Sequence, residues 1–434
     1  MRCRVHKRKV LLLMLLFAAI AVATWSVLRE RSLHSYQDPS FLFTNLAGKV
    51  KASGSRLARN ISRANNSAEE LKHFVYTANL AQTLYNEKRF PQRPNDGVIV
   101  VVATGSSPEL LRITIESLHS ARGISDVLLV LSHDRVSAEL DTLARSVDFC
   151  QLIRIYFPFS LQLYPNDFPG PDPAGCPRDA THEDAQKMRC INAQFPDRHG
   201  HYREAAFTQA KHHWWWTLNF VWSRLRANTG NNGLVLFLDE AQAVLPDFLP
   251  TLHLMRVVQS GVAAPDVFCL GIRESSTNGP GPASALFAGA ADAADTASWQ
   301  SSRHAAGLAI TRHAYELLRS CTQEFCSYDD YNWDWSFQQV SATCLAHPLI
   351  VMVLRAPRVL HSADCGAPAG EVCNAARARE RLEAVSSGAS RYLFPDTVRV
   401  VQVHYPIAVH PPAVNGGWAD PRDHELCRRM PDLH

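Results

Sequence analysis

Several absences narrow this chain before any motif is read. Its 434 residues carry a formal net charge of only +3, and Arg2, Arg4, Lys7, Arg8 and Lys9 supply much of the basic excess. The body therefore offers no charged footprint for nucleic acid. The turn after its first strand-like run has the single Gly105, so neither a G-x-G-x-x-G dinucleotide loop nor a G-x-x-x-x-G-K-[ST] phosphate loop is present there. No H-E-x-x-H occurs among the 19 histidines, and the spacings Cys321-x4-Cys326 and Cys365-x7-Cys373 match no paired C-x-x-C zinc site. What is present in quantity is apolar: 46% hydrophobic against 20% charged residues suffices for a large core, in one big domain or two fused ones.

Charge is missing altogether from Val10 to Leu28, directly after the basic cluster, and that run is just long enough to cross a bilayer. A cleaved signal peptide has a shorter apolar core and a small-residue cleavage site, whereas this run ends at Trp25 and Arg29, which favours an uncleaved anchor. Basic residues stay on the cytoplasmic side, so residues 1–9 form a cytoplasmic tail, 10–28 the transmembrane anchor, and everything after lies in a lumen. Residues 29–95 are polar and weakly patterned, as in a stem, with Asn60-Ile-Ser62 and Asn65-Asn-Ser67 as glycosylation acceptors. Within them "SAEELKHFVYTANLAQTLYNEKRF" has helical spacing and is expected to dock on the body. Cys3 is cytoplasmic, but an oxidising lumen lets the other cysteines form bridges, whose connectivity sequence alone does not fix.

The body, 96–434, opens with "DGVIVVVATGSSPELLRITIESLHSARGISDVLLVLSHD": strand, helix and strand of a β-α-β unit, an α/β fold. Asp134 at the second strand end could accept hydrogen bonds from a nucleotide, or be a turn residue. Further on, "LVLFLDEAQAVLP" reads as a buried strand ending on Asp239 and Glu240, where α/β sheets gather ligands; a solvated strand end gives the same pattern. "CSYDDYNWDW" interleaves Asp329, Asp330 and Asp334 with Tyr328, Tyr331, Trp333 and Trp335, fit to bind sugar hydroxyls and C–H faces, or equally a surface turn with packed aromatics. "QAKHHWWWTLNFVWSRL" has the spacing of a buried helix, so its tryptophans read as core, and His213 as a core histidine or a site residue.

Four segments, "PFSLQLYPNDFPGPDP" (158–173), "GHYREAAFTQAKHHWWWTLNFVW" (200–222), "CSYDDYNWDW" (326–335) and "NGGWADPRDHELC" (415–427), closely resemble the Golgi N-acetylglucosaminyltransferase II family in the same order. The resemblance covers nearly all of the chain after the stem. It implies a GT-A-type, Rossmann-like domain behind the anchor and stem, UDP-GlcNAc as donor, Mn2+ as cofactor, and inverting transfer of GlcNAc to O2 of the α-1,6-arm mannose of glycoprotein N-glycans in the Golgi membrane. It also implies Asp334 as general base; Asp134, Gln209, Lys211, His212 and His213 on the donor side; Asp330, Tyr331, Asn332 and Trp333 on the acceptor side; and His361 as metal ligand.

The same resemblance exposes departures on the donor side. The family's strand ends Glu-Glu-Asp, its last carboxylate binding the metal; here the matching residues are Asp239, Glu240 and Ala241, leaving Asp239 or Glu240 as substitute ligands. Ala103-Thr-Gly-Ser-Ser107 replaces Gln-Val-His-Asn-Arg, and Thr277 falls nearest to a further donor-contacting Arg. Two expectations follow: an active transferase, or a catalytically silent relative that binds N-glycans or partner enzymes. The resemblance also implies bridges Cys176–Cys190, Cys321–Cys344, Cys326–Cys427 and Cys365–Cys373, and leaves Cys150 and Cys269 as free thiols.

Overall fold

A computed structural model describes residues 67–433 except 91–93, 95, 106, 259–264, 272–282, 362–373 and 404–416, all within one compact unit, Asn65–His434. The tail, the run from Val10 to Leu28, the first part of the stem with Asn60 and Asn65, Thr277 and the Cys365–Cys373 pair lie outside the described residues.

Four apolar runs make the heart of the sheet: β1 (Ile99–Thr104), β2 (Leu128–His133), β3 (Gln151–Tyr156) and β4 (Val235–Asp239), all parallel in the order β4-β1-β2-β3. A short β5 (Gln242–Val244) follows, then β6 (Val267–Cys269), β7 (Ala293–Ser298), β8 (Leu308–Ile310), β9 (Ile350–Leu354), β10 (Val359–His361) and β11 (Arg399–Gln402). The nine-stranded order is β11-β7-β9-β6-β8-β4-β1-β2-β3, with β8 antiparallel to both neighbours and β7 antiparallel to β9; β5 and β10 form a separate antiparallel pair.

The strands read as unbroken apolar runs because both faces are covered. Alternation sends Val101, Val130 and Phe237 to one core and Val102, Leu131 and Leu238 to the other. Helix α1 (Ala68–Ala81) starts at a Ser67/Glu70 capping box. It docks on the body: Asn79 exchanges hydrogen bonds with the Tyr156 backbone at 2.6 and 2.7 Å. Helices α2 (Pro108–His119), with proline in its first turn, and α3 (Ala138–Arg145) cover the second core, and α2 completes the β-α-β unit. After the short α4 (His182–Met188), α5 (Ala205–Ser223) fills the first core with Trp214, Trp215, Trp216 and Trp222. Burying one such side chain contributes about 1.5–3 kcal/mol, so the tryptophan run is structural in the first instance. No described helix is long and apolar enough to cross a membrane.

The remaining helices are α6 (Phe248–Val258), α7 (Ser301–His304), α8 (Arg312–Ser320), α9 (Thr322–Ser327), α10 (Trp333–Thr343), α11 (Ala375–Ala389) and α12 (Pro421–Arg429). Disulfides Cys176–Cys190, Cys321–Cys344 and Cys326–Cys427 are formed as expected, and Cys150 and Cys269 are buried free thiols.

Candidate active site

The chain runs outward from β1 to β2 and β3, then returns to place β4 on the other side of β1, so the strand order reverses between β1 and β4. In an open α/β sheet the ligand crevice lies outside the carboxyl ends at that reversal. The register brings Ala103 beside Ser132 and Asp239, so Gly105, Asp134 and Glu240 gather there. A side chain at Gly105 would put its first carbon 3.4 Å from Glu240 Oε1 and 3.7 Å from Asp134 Oδ2, close but ordinary contacts.

Two residues expected on the donor side do meet: Gln209 Nε2 donates to Asp134 Oδ2 at 3.1 Å, and Gln209 Oε1 accepts from the Leu161 N–H at 2.6 Å. Three others are buried and partnered within the chain. Lys211 is fully buried, donating to the carbonyls of Tyr328 at 3.0 Å and Asp330 at 2.9 Å, with its ammonium 4.0 Å from the Trp418 ring centre. It holds the loop of residues 328–330 from within, and burial pushes its pKa down to about 7. His212 faces the Asp423 carbonyl at 3.2 Å and packs edge-on against Trp418. His213 lies 2.8 Å from Ser132 Oγ. Burial lowers these imidazoles to about 3 and about 4, as expected of core histidines.

The acceptor-side segment turns into α10. Asp330 Oδ1 accepts from the Asn332 N–H at 2.7 Å, and Tyr331 Oη accepts from the Glu204 N–H at 2.7 Å. Both residues are buried and shape the loop, while Asn332 and Trp333 stay partly open. Trp333 stacks on Trp214 with ring centres 4.0 Å apart. Helix α5 thus ties the site together, through Gln209 to Asp134, Lys211 to the loop and Trp214 to Trp333. Asp334 lies in the first turn of α10, where the helix N-terminus favours a carboxylate. Its Oδ2 accepts from Ser301 Oγ at 2.9 Å and its Oδ1 from the Trp335 N–H at 3.1 Å. Burial first, and Asp334 among its neighbours, raises Asp330 to about 6.

The residues implied to hold Mn2+ do not fit it. His361 pairs with Gln242 across β10 and β5, one position from Ala241, which has no ligand atom. Asp239 gives Oδ1 to the Ala241 N–H and Oδ2 to Gln242 Nε2, each at 2.8 Å. Glu240 gives Oε2 to the Gly105 N–H at 2.6 Å and Oε1 to the Ser107 N–H at 2.9 Å. Backbone and amide donors at the strand end and at the start of α2 thus orient both carboxylates within the chain. Among the described residues the cluster with three mutually close ligand atoms is Cys321, Glu324 and Cys344, and its sulfurs are joined as a disulfide. Mn2+ prefers several oxygen donors, which these residues do not assemble around His361.

Sequence reasoning missed Ser301, which carries no motif, and the buried pair in which Arg203 Nε donates to Asp423 Oδ2 at 2.6 Å. Asp423 and Trp418 both belong to "NGGWADPRDHELC"; that segment's density of Trp, Asp and Arg was the available signal. Cys326–Cys427 joins this C-terminal element to α9.

Comparison with known proteins identifies the family. The family model described as N-acetylglucosaminyltransferase II (MGAT2) matches residues 72–427. The chain is 40% identical over 444 residues to the alpha-1,6-mannosyl-glycoprotein 2-beta-N-acetylglucosaminyltransferase of Rattus norvegicus and 39% over 450 residues to that of Homo sapiens, covering 99% of this chain and of each relative. The protein of the same name from Arabidopsis thaliana is 27% identical over 354 residues, 79% of this chain and 76% of its own.

Proposed function

The chain belongs to the N-acetylglucosaminyltransferase II family and is a transferase that adds GlcNAc to the α-1,6 mannose arm of N-glycans, and we propose that it does so with inversion, from UDP-GlcNAc, with Asp334 as general base. The silent-relative alternative draws no support: relatives matching 99% of the chain are named as transferases. In the proposed reaction the Asp334 carboxylate takes the proton of the mannose O2 hydroxyl. That oxygen forms the new bond to the sugar's anomeric carbon as the bond to UDP breaks on the opposite face and the electron pair leaves with the diphosphate.

One observation carries the reading. Asp334 is a buried carboxylate in a helix first turn, fixed by a hydroxyl and a backbone N–H, next to the partly open Asn332 and Trp333. A base so placed typically contributes about 10² to 10⁴ in rate. The mixed α/β sheet is read as a GT-A-type domain, with Asp134 and Gln209 on the nucleotide side. No step is routed through a metal. Residues 1–28, basic then apolar, support a single-pass type II membrane anchor with the body in a lumen, and the family resemblance supports the Golgi as that compartment. Asp334→Asn, assayed for GlcNAc transfer and separately for glycan binding, tests the assignment of the base.

A further inference from the structure

The Asp334 carboxylate is gripped by a residue from a distant part of the chain. Ser301 begins α7, just beyond β7, and is fully buried. Its hydroxyl donates to Asp334 Oδ2 at 2.9 Å, and its backbone N–H donates to Gln338 Oε1 at 2.9 Å. Gln338 lies one turn after Asp334 on the same face of α10, so the helix holds Ser301 at two points. On the other side the corner is fixed too: the Gln300 N–H donates to His304 Nδ1 at 2.8 Å, and the His304 N–H to the Gln300 carbonyl at 2.9 Å. Burial lowers His304 to about 3, which keeps Nδ1 an acceptor at any working pH.

A hydroxyl donating to a carboxylate in a dry site makes a strong, directional bond. From this geometry we infer that Ser301 is a positioning residue for the transfer, orienting the Asp334 carboxylate toward the acceptor hydroxyl and holding it ionised. The inference rests on the reading of Asp334 as the base.

Two effects separate this role from a packing role. Losing the orientation lowers kcat while leaving KM for the glycan nearly unchanged, by about 10- to 100-fold if the carboxylate drifts by an ångström. Losing a hydrogen bond to the charged form raises the base's pKa, so the acidic limb of the kcat/KM profile moves up by about 0.5 to 1 pH unit.

The test is a pH–rate profile of the purified lumenal body with UDP-GlcNAc and a GlcNAc-bearing N-glycan acceptor, for wild type, Ser301→Ala, Ser301→Thr and Asp334→Asn. The inference predicts the kcat loss and upward shift in Ser301→Ala, recovery of both in Ser301→Thr, which restores the hydroxyl, and near-complete loss in Asp334→Asn. Should Ser301→Ala not fold by thermal melting, Ser301→Cys, a weaker donor of similar size, reads the same shift. A serine variant with unchanged kcat and acidic limb, while Asp334→Asn is inactive, overturns the positioning role and leaves the base assigned. Full activity in Asp334→Asn overturns the base assignment and the positioning role together.

Discussion

Lys211 Nζ donates to the Asp330 carbonyl at 2.9 Å from a wholly buried position, so an ammonium supports from beneath the loop that leads into α10. Burial depresses its pKa from 10.5 to about 7. Between those values the unfolded chain holds a proton that the folded chain has released. This group's contribution is therefore fully present above pH 10.5 and lost as pH falls through 7. Lys211→Met is expected to flatten that rise in urea denaturation between pH 7 and 9. At pH 6 it also leaves the Tyr328 and Asp330 carbonyls without their donor, at about 1–3 kcal/mol each.

Asp330 titrates with the opposite sense. Burial raises it from 3.8 to about 6, so between these values the folded chain keeps a proton that the unfolded chain has lost. Its contribution is greatest below pH 3.8 and disappears as pH rises through 6, at most about 3 kcal/mol. Asp330→Asn should reduce the drop in unfolding free energy between pH 4.5 and 7. Asp423, also raised to about 6 by burial, keeps its own share of that drop in the variant.

The Cys326–Cys427 bridge closes 101 residues and ties the C-terminal helix α12 to α9, beneath the same loop. In the chain-entropy view a loop of that size contributes about 4–5 kcal/mol. The double variant Cys326→Ser with Cys427→Ser should lose stability of that order by denaturant unfolding. It should also raise KM for the glycan, because Trp418, which donates to the Cys326 carbonyl at 2.8 Å and covers Lys211, is released with it.

Ala241 falls where the family resemblance implies a metal-binding carboxylate, and it lies one position from Gln242, the residue paired with His361. Ala241→Asp is expected to tighten Mn2+ binding, measured by calorimetry with the metal alone, and adding His361→Ala should undo the gain. Equal heats for wild type and Ala241→Asp would show that an oxygen ligand at 241 does not reach the ion.

Much of this fold could be read from the sequence because its signals are local. Continuous apolar strands, the proline at the start of α2 and the Ser67/Glu70 cap each act within a few residues, and the bulky helix α5 announces itself by apolar density. What could not be read depends on long-range geometry. Lys211 looks suited to a diphosphate until the chain closes Tyr328, Asp330 and Trp418 around it. Glu240 reads as a strand-end carboxylate, and only the fold shows that the Gly105 and Ser107 N–H groups each hold one of its oxygens. Ser301 is an ordinary serine until β7 delivers it to Asp334, 33 residues away.

The central claim is that this body transfers GlcNAc with Asp334 as base, and product mass spectrometry tests it most directly. Wild type and Asp334→Asn, both shown to be folded and to bind the glycan, are incubated with UDP-GlcNAc, Mn2+ and an N-glycan bearing an unmodified α-1,6-arm mannose. The account predicts one added N-acetylhexosamine with wild type and a rate lower by about 10² to 10⁴ with Asp334→Asn. A folded, glycan-binding wild type that forms no product, or an Asp334→Asn variant that matches it, would contradict the account.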